Sequence, residues 1–169
     1  RAQQARIAGL FERARDSLLV LQKDVPHHPW LVTELASVHL ARNDAASAER
    51  LLRNERLAQR DSLLGGHELE TAYERLARTR DALAVTLEVW AADPGEAEWA
   101  APIVLRLGSA DPRGAKALLR DATTRLPRRV DLARAEAWVL ARAGAASEAA
   151  AALRRLDTAL PQRTPQRYL

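Results

Sequence analysis

The sequence predicts an all-α fold, a solenoid of tandem helix–turn–helix units, and three observations predict it. Alanine, leucine and arginine dominate the 169 residues, while aromatic residues make up only 4%. Those are strong helix formers, and the scarcity of β-branched and aromatic residues argues against sheets. A small residue recurs as Ala14, Ala48, Ala82, Ala115 and Ala149, at intervals of 34, 34, 33 and 34 residues. A proline recurs as Pro26, Pro94, Pro127 and Pro161, at intervals of 68 (twice 34), 33 and 34. Two independent markers with one period are the signature of a repeat architecture.

The physics of each marker places the elements. Proline cannot continue a helix and disfavours helical geometry in the residue before it, so each one closes a unit. Alanine recurs where two helices cross so closely that only a methyl group fits. Between these markers lie turns at Arg42-Asn43-Asp44, Arg78-Thr79-Arg80-Asp81, Gly108 to Pro112 and Ala143-Gly144-Ala145. Gly108 and Gly144 are expected to close helices in the left-handed conformation, and Asn43 less easily. Asp44 and Asp111 fit the N-cap of the helix that follows.

In order, the first unit supplies one helix over 10–24. The second carries helices over 30–42 and 45–58, the third over 63–78 and 80–92. The fourth carries helices over 96–107 and 112–125, the fifth over 130–143 and 146–160. Apolar residues recur at helical spacing, as in Leu31, Leu35 and Val38, or Leu76, Leu83 and Leu87. A single unit cannot bury its apolar face, so stacked neighbours must supply the core. The units run over about 1–28, 29–62, 63–95, 96–129 and 130–163, giving about four and a half repeats in a single repeat domain. Residues 1–9 read as the tail of an earlier helix or an extension of the next, and 162–169 as the start of a sixth unit. The sequence therefore reads as a fragment of a longer chain.

Composition excludes some function classes. The chain has no cysteine, so no disulfide framework or thiolate metal site is available. No apolar run approaches the roughly 20 residues that span a bilayer. The net charge of +4 rests on 26 basic and 22 acidic residues, and the pI is near 10.3. The charges are interleaved, as in Glu49-Arg50 and Arg80-Asp81, and the doublets Arg128-Arg129 and Arg154-Arg155 are short. That pattern describes solvated helix faces better than a phosphate-binding surface. Arginine far exceeds lysine beside abundant alanine, which fits a GC-rich bacterial genome; the compartment, cytoplasm or periplasm, is left open.

With these residues in hand, the chain resembles the tetratricopeptide (TPR) repeat proteins from about Leu10 to Pro161. The resemblance rests on Leu35-Ala36, His39, Asn43-Asp44, Ala48 and Leu52 in the second unit. In the third it rests on Leu69, Tyr73, Ala82, Val89 and Asp93-Pro94. In the fifth it rests on Ala137, Leu140, Gly144, Ala149, Leu153, Leu156 and Pro161. Three positions depart from the family pattern. Glu70 stands where a small residue is usual, and Arg60 where a second closing proline belongs, so that boundary is expected to run long or bend. Pro102 falls inside the first helix of the fourth unit and is expected to kink or shorten it. The resemblance implies a right-handed α-α superhelix whose first helices line a concave groove, with peptide or protein binding as the default role.

No catalytic constellation stands out, and no cofactor is expected. The four histidines, His27, His28, His39 and His67, form neither a His-x-x-x-His pair nor a His-rich tract. His39 takes a slot that is usually aromatic in the family, so packing is its expected role. Gly65-Gly66 is an isolated pair, read as a flexible joint rather than a phosphate loop. Carboxylates lie mostly beside arginines at helical spacing, the pattern of surface pairs worth little each. The expectation is a non-catalytic protein.

Carried over from the family, the groove stripe is Trp30, Thr33, Ser37 and Leu40 in the second unit. In the third it is Leu64, His67, Thr71, Glu74 and Arg75, and in the fourth Ala100, Val104 and Leu107. In the fifth it is Asp131, Arg134, Trp138 and Arg142. Trp30 and Trp138 are the candidate anchors, whereas Trp90 and Trp99 are expected to pack between the third and fourth units. Some family members clamp a C-terminal carboxylate with lysine, arginine and asparagine on this stripe. Here Thr33, Ser37, Thr71, Val104 and Trp138 fill those slots, which disfavours a chaperone-tail adaptor. The functional expectation is a scaffold that binds a protein or peptide partner. The alternatives are a structural spacer that self-associates through its ends and, less favoured, a helical repeat that reads nucleic acid. The latter mode wants a polar pair at fixed places in every unit, and no such pair recurs.

Overall fold

The computed structural model describes residues 10–160. They are helical, with no strand among them, and form two compact units that divide between Val85 and Thr86. The first unit holds α1 (Phe11–Asp24), α2 (Pro29–Ala41), α3 (Ala45–Gln59), α4 (Gly66–Arg75) and the start of α5 (Thr79–Ala92). The second holds the end of α5, a single 3₁₀ turn (Pro94–Glu96), α6 (Ala97–Ala110), α7 (Pro112–Arg125), α8 (Val130–Arg142) and α9 (Ala146–Ala159). Residues 1–9 and 161–169, and with them Pro161 and the expected sixth unit, lie outside the described residues.

The two periodic markers do what their chemistry requires. Ala14, Ala48, Ala82, Ala115 and Ala149 are all buried. Replacing Ala82 with leucine should therefore overpack a helix crossing and cost about 1–3 kcal/mol. Urea denaturation checks this, and an unmoved midpoint would place the crossing elsewhere. Pro26, Pro94 and Pro127 each follow a helix end, at Asp24, Ala92 and Arg125. Arg60 replaces the missing proline by a different device. It adopts the left-handed conformation at φ 55°, and the Asp61 N–H donates to the Arg56 carbonyl at 3.1 Å. The α3 boundary therefore extends only to Gln59 before the chain turns sharply.

Three of the turns within units share one hydrogen-bond pattern. Asn43, Ala77 and Gly144 all have positive φ, at 61°, 56° and 78°. Behind each, the next N–H reaches back five residues: Asp44 to the His39 carbonyl, Arg78 to Tyr73 and Ala145 to Leu140, each at 2.9 Å. This is the Schellman closure, which satisfies carbonyls that a helix end leaves free. Asp44 and Asp111 cap the following helices, accepting from the Ser47 N–H at 3.1 Å and the Gly114 N–H at 2.9 Å. The Ser47 hydroxyl, and after it the Ser47 N–H, hold the Asp44 carboxyl below its ordinary pKa. Ala77 is exposed, and an L-residue pays about 1–2 kcal/mol for left-handed geometry. Ala77→Gly should accordingly raise stability by about 0.5–1 kcal/mol, less than the full strain because glycine also loosens the unfolded chain. A thermal melt reads this directly, and a lower midpoint would contradict it.

Four sequence expectations require correction. Gly108 does not close a helix. It lies within α6, where an added Cβ would sit 3.0 Å from Val139 Cγ2 and 3.2 Å from Ala115 Cβ. Its role is to let α6 approach α7 and α8. Gly65-Gly66 is a packed joint, not a loose one: Gly65 has φ 58° and an added Cβ would meet Leu52 Cδ2 at 2.4 Å. Pro102 does not shorten its helix, since α6 runs unbroken from Ala97 to Ala110. The helix of the third unit is shorter than expected, Gly66–Arg75 against 63–78, because the left-handed residues Gly65 and Ala77 bound it.

In the first unit, Ala14 and Leu18 of α1 pack with Leu31, Leu35 and Val38 of α2, flanked by Phe11 and Leu51. In the second, Ala137 and Leu140 of α8 pack with Ala149 and Ala152 of α9. One charge lies within this second core. Glu136 is 1% exposed, accepting from Arg155 at 2.6 Å and from the Thr123 hydroxyl at 2.8 Å.

Candidate functional site

The first unit sets α2 and α4 side by side, running in the same direction. Near their starts, Gly65 lies against Leu52 and the Thr33 methyl group. Near their ends, the Arg75 guanidinium donates to the Leu40 carbonyl. The expected stripe residues fall between these anchors, in three classes. Trp30 (49% exposed) and His67 are open to solvent, and Thr33, Ser37, Thr71 and Glu74 are half-buried. Leu40 and Leu64 are buried and belong to the core, which corrects their expected place on a surface. Thr33 and Thr71 turn their hydroxyls back onto their own helices, donating to the Trp30 carbonyl at 2.9 Å and the His67 carbonyl at 3.0 Å. Arg75 holds the two helices together, so its charge is partly engaged.

The second unit carries a concavity of its own. A cavity of about 320 Å³ is lined by Ala97, Ala101 and Leu105 of α6 and by Asp131, Arg134, Ala135 and Trp138 of α8, with Trp90 of α5. The alanines are the reason for the space, since methyl groups on facing helices leave room between the backbones. Trp138 stands at its edge, 40% exposed, and the Arg142 guanidinium lies 5.3 Å from the centre of its ring. That stacking holds the indole without desolvating the guanidinium N–H groups.

Arg129 fixes the geometry of this cavity. Its guanidinium donates to the Trp90 and Ala91 carbonyls at 2.8 and 3.0 Å, tying the start of α8 to the end of α5. It also grips both oxygens of Asp131, at 3.0 and 2.8 Å. Burial raises the Asp131 carboxyl pKa, but the hydrogen bond and charge of Arg129, with the backbone N–H groups, outweigh it and hold the group below its usual value. Asp131 is thus neutralised inside the wall. Arg134 and Arg142 have no carboxylate partner among the described residues.

The structure places Arg134, Trp138 and Arg142 on one face of α8, with Asp131 beside them. It does not bring Ala100, Val104 or Leu107 to the cavity; these are buried. The stripe of α6 that lines the cavity is instead the half-buried Ala97, Ala101 and Leu105. Glu98, Pro102, Arg106 and Ser109 mark the exposed face of this helix, but the positions between them are apolar, so periodicity could not tell the cavity stripe from the core stripe. Trp90 is also a wall residue that the groove stripe lacked; it is 2% exposed and packs as expected for a buried tryptophan. Among the described residues no group of three or more histidine, aspartate or glutamate side chains could hold a metal ion, and no helix is long and apolar enough to cross a membrane.

No protein family matches the sequence, and no curated protein does. Solved structures match the fold. An ArsTM double mutant of MamA RS-1 covers 93% of this chain and 89% of its own, with a TM-score of 0.60 at 14% identity. MamA from residue 41 to its end, from Desulfovibrio magneticus RS-1, covers 95% and 93% with a TM-score of 0.59 at 14% identity. MamA AMB-1 covers 98% and 91% with a TM-score of 0.54 at 17% identity. MamA is a TPR-repeat protein, and the likeness extends over nearly the whole chain. The fold of this chain is an all-α, TPR-like helical repeat.

Proposed function

We propose that the chain is a non-catalytic scaffold that binds a peptide or protein partner on the faces of its first helices. One observation carries the reading: the 320 Å³ apolar cavity between α6 and α8, edged by the exposed Trp138 and by Arg134. An apolar recess with an aromatic anchor and a few charged groups at its rim is how proteins commonly take another protein's side chains. Trp30, Thr33, Ser37, His67, Thr71 and Glu74 offer a second, more polar face on the first unit. The test is a pull-down comparing the wild-type chain with the Trp30→Ala/Trp138→Ala variant, with bound species identified by mass spectrometry. A protein retained by the wild type and lost by the equally stable variant is expected. Identical profiles would remove both tryptophans from the binding role and favour a spacer or self-associating segment.

A further inference from the structure

The cavity of the second unit has a charge pattern that selects among peptides. Its walls are mostly apolar: Ala97, Ala101, Leu105, Ala135 and the Trp90 ring. The acidic residue on the wall, Asp131, is held by Arg129 through both oxygens. Arg134 and Arg142 lie one turn before and one turn after Trp138, and neither has a carboxylate partner among the described residues. Opposite them, α6 contributes no charged side chain to the cavity. Among the side chains that line and edge the recess, the charge left without an opposite partner is therefore positive.

Geometry then sets a spacing. Arg142 lies eight helical steps after Arg134, so their Cα atoms are about 12 Å apart. An extended chain advances about 3.3 Å per residue and turns alternate side chains to one face. Positions i, i+2 and i+4 of an extended peptide share a face and span about 13 Å. Resting on the reading above, we infer that this recess takes an extended acidic peptide segment, with an aliphatic side chain flanked two residues away on each side by Asp or Glu. The aliphatic group enters the cavity beside Trp138. The carboxylates meet Arg134 and Arg142, whose planar guanidinium groups suit bidentate pairing.

A single-stranded nucleic acid would also use tryptophan and arginine. Several features favour the peptide. The recess is walled mainly by methyl and isobutyl groups, and the Trp90 ring among its walls is only 2% exposed, so it suits an aliphatic side chain and offers a base little ring face to stack on. Only two arginines stand on the helix, too few to track a phosphate backbone.

The experiment is selection of a random peptide library on the intact chain, repeated on Arg134→Glu/Arg142→Glu, with poly(U) RNA and an acidic-free library as competitors. Circular dichroism establishes that the variant melts like the wild type. The expected result is enrichment of acid-x-aliphatic-x-acid sequences. A synthetic peptide of that consensus should bind at least tenfold more tightly than its Asn/Gln analogue, and the charge-reversed variant should lose at least tenfold. Enrichment without acidic residues, or indifference to the charge reversal, would overturn the inference while leaving peptide binding intact. Displacement by poly(U) at comparable concentration would overturn it in favour of nucleic acid. No enrichment above background by the wild type would overturn the scaffold reading itself.

Discussion

Arg155→Ala is expected to destabilise the chain by about 3 kcal/mol. Glu136 is 1% exposed in the second core, and Arg155 meets it at 2.6 Å. Removing one partner of a buried ion pair leaves an uncompensated charge, which costs about 3–5 kcal/mol. The low end applies because the Arg155 side chain is 38% exposed and Arg120 stands 3.9 Å from the same carboxylate. The pair need not be a net source of stability. Two desolvated charges can be replaced by well-packed apolar residues of similar volume at little cost or with a gain. Glu136→Leu/Arg155→Met should therefore be far more stable than Arg155→Ala alone, although Thr123 would lose the acceptor it now holds at 2.8 Å. Urea denaturation of the three variants decides the matter. A double variant at least as unstable as Arg155→Ala would mean that the apolar pair does not fit the site.

Leu52→Ala is the second large effect, with an expected loss of about 2–5 kcal/mol. Leu52 has no solvent exposure, so its truncation removes buried methyl groups and opens a void. Its neighbour makes the experiment more informative. The Cβ of an alanine at position 65 would fall 2.4 Å from Leu52 Cδ2, at a backbone φ of 58°. Gly65→Ala should thus cost about 1–2 kcal/mol for left-handed geometry alone, with the collision added. In the double variant the collision disappears, because the colliding carbon is gone, while the backbone strain stays. The double variant should lose less than the sum of the two single variants, a coupling of the size seen between residues in contact. Strict additivity would show that Leu52 simply rotates away from the new methyl group.

The helices were legible because their signals are local. Alanine at a crossing, proline past a helix end and aspartate at an N-cap each act within a few residues, and Ala115, Pro127 and Asp111 do what their chemistry dictates. Gly144 and Asn43 closed helices as their conformational freedom predicts. Ala77 makes the same turn without any local signal. Its side chain does not prefer left-handed geometry, and the register of the repeat imposes it. Gly108 shows the opposite: a glycine with the local look of a helix end, held mid-helix because Val139 and Ala115 leave no space for a Cβ.

The candidate site divides in the same way. Its α8 half was legible, since Arg134, Trp138 and Arg142 are polar or aromatic residues spaced one turn apart on the exposed face of that helix. Its α6 half was not, because Ala97, Ala101 and Leu105 look like the buried Ala100, Val104 and Leu107 beside them. What this sequence determined by itself was the number, order and punctuation of its helices, through propensity and turn chemistry that act along the chain. Only the tertiary structure decided which apolar stripe of α6 faces the core, which charges are paired and which arginines are left free. Those depend on what an adjacent helix presents at a few ångströms, and residues such as Arg129 and Trp90, 39 positions apart, carry no mark of that proximity in the chain.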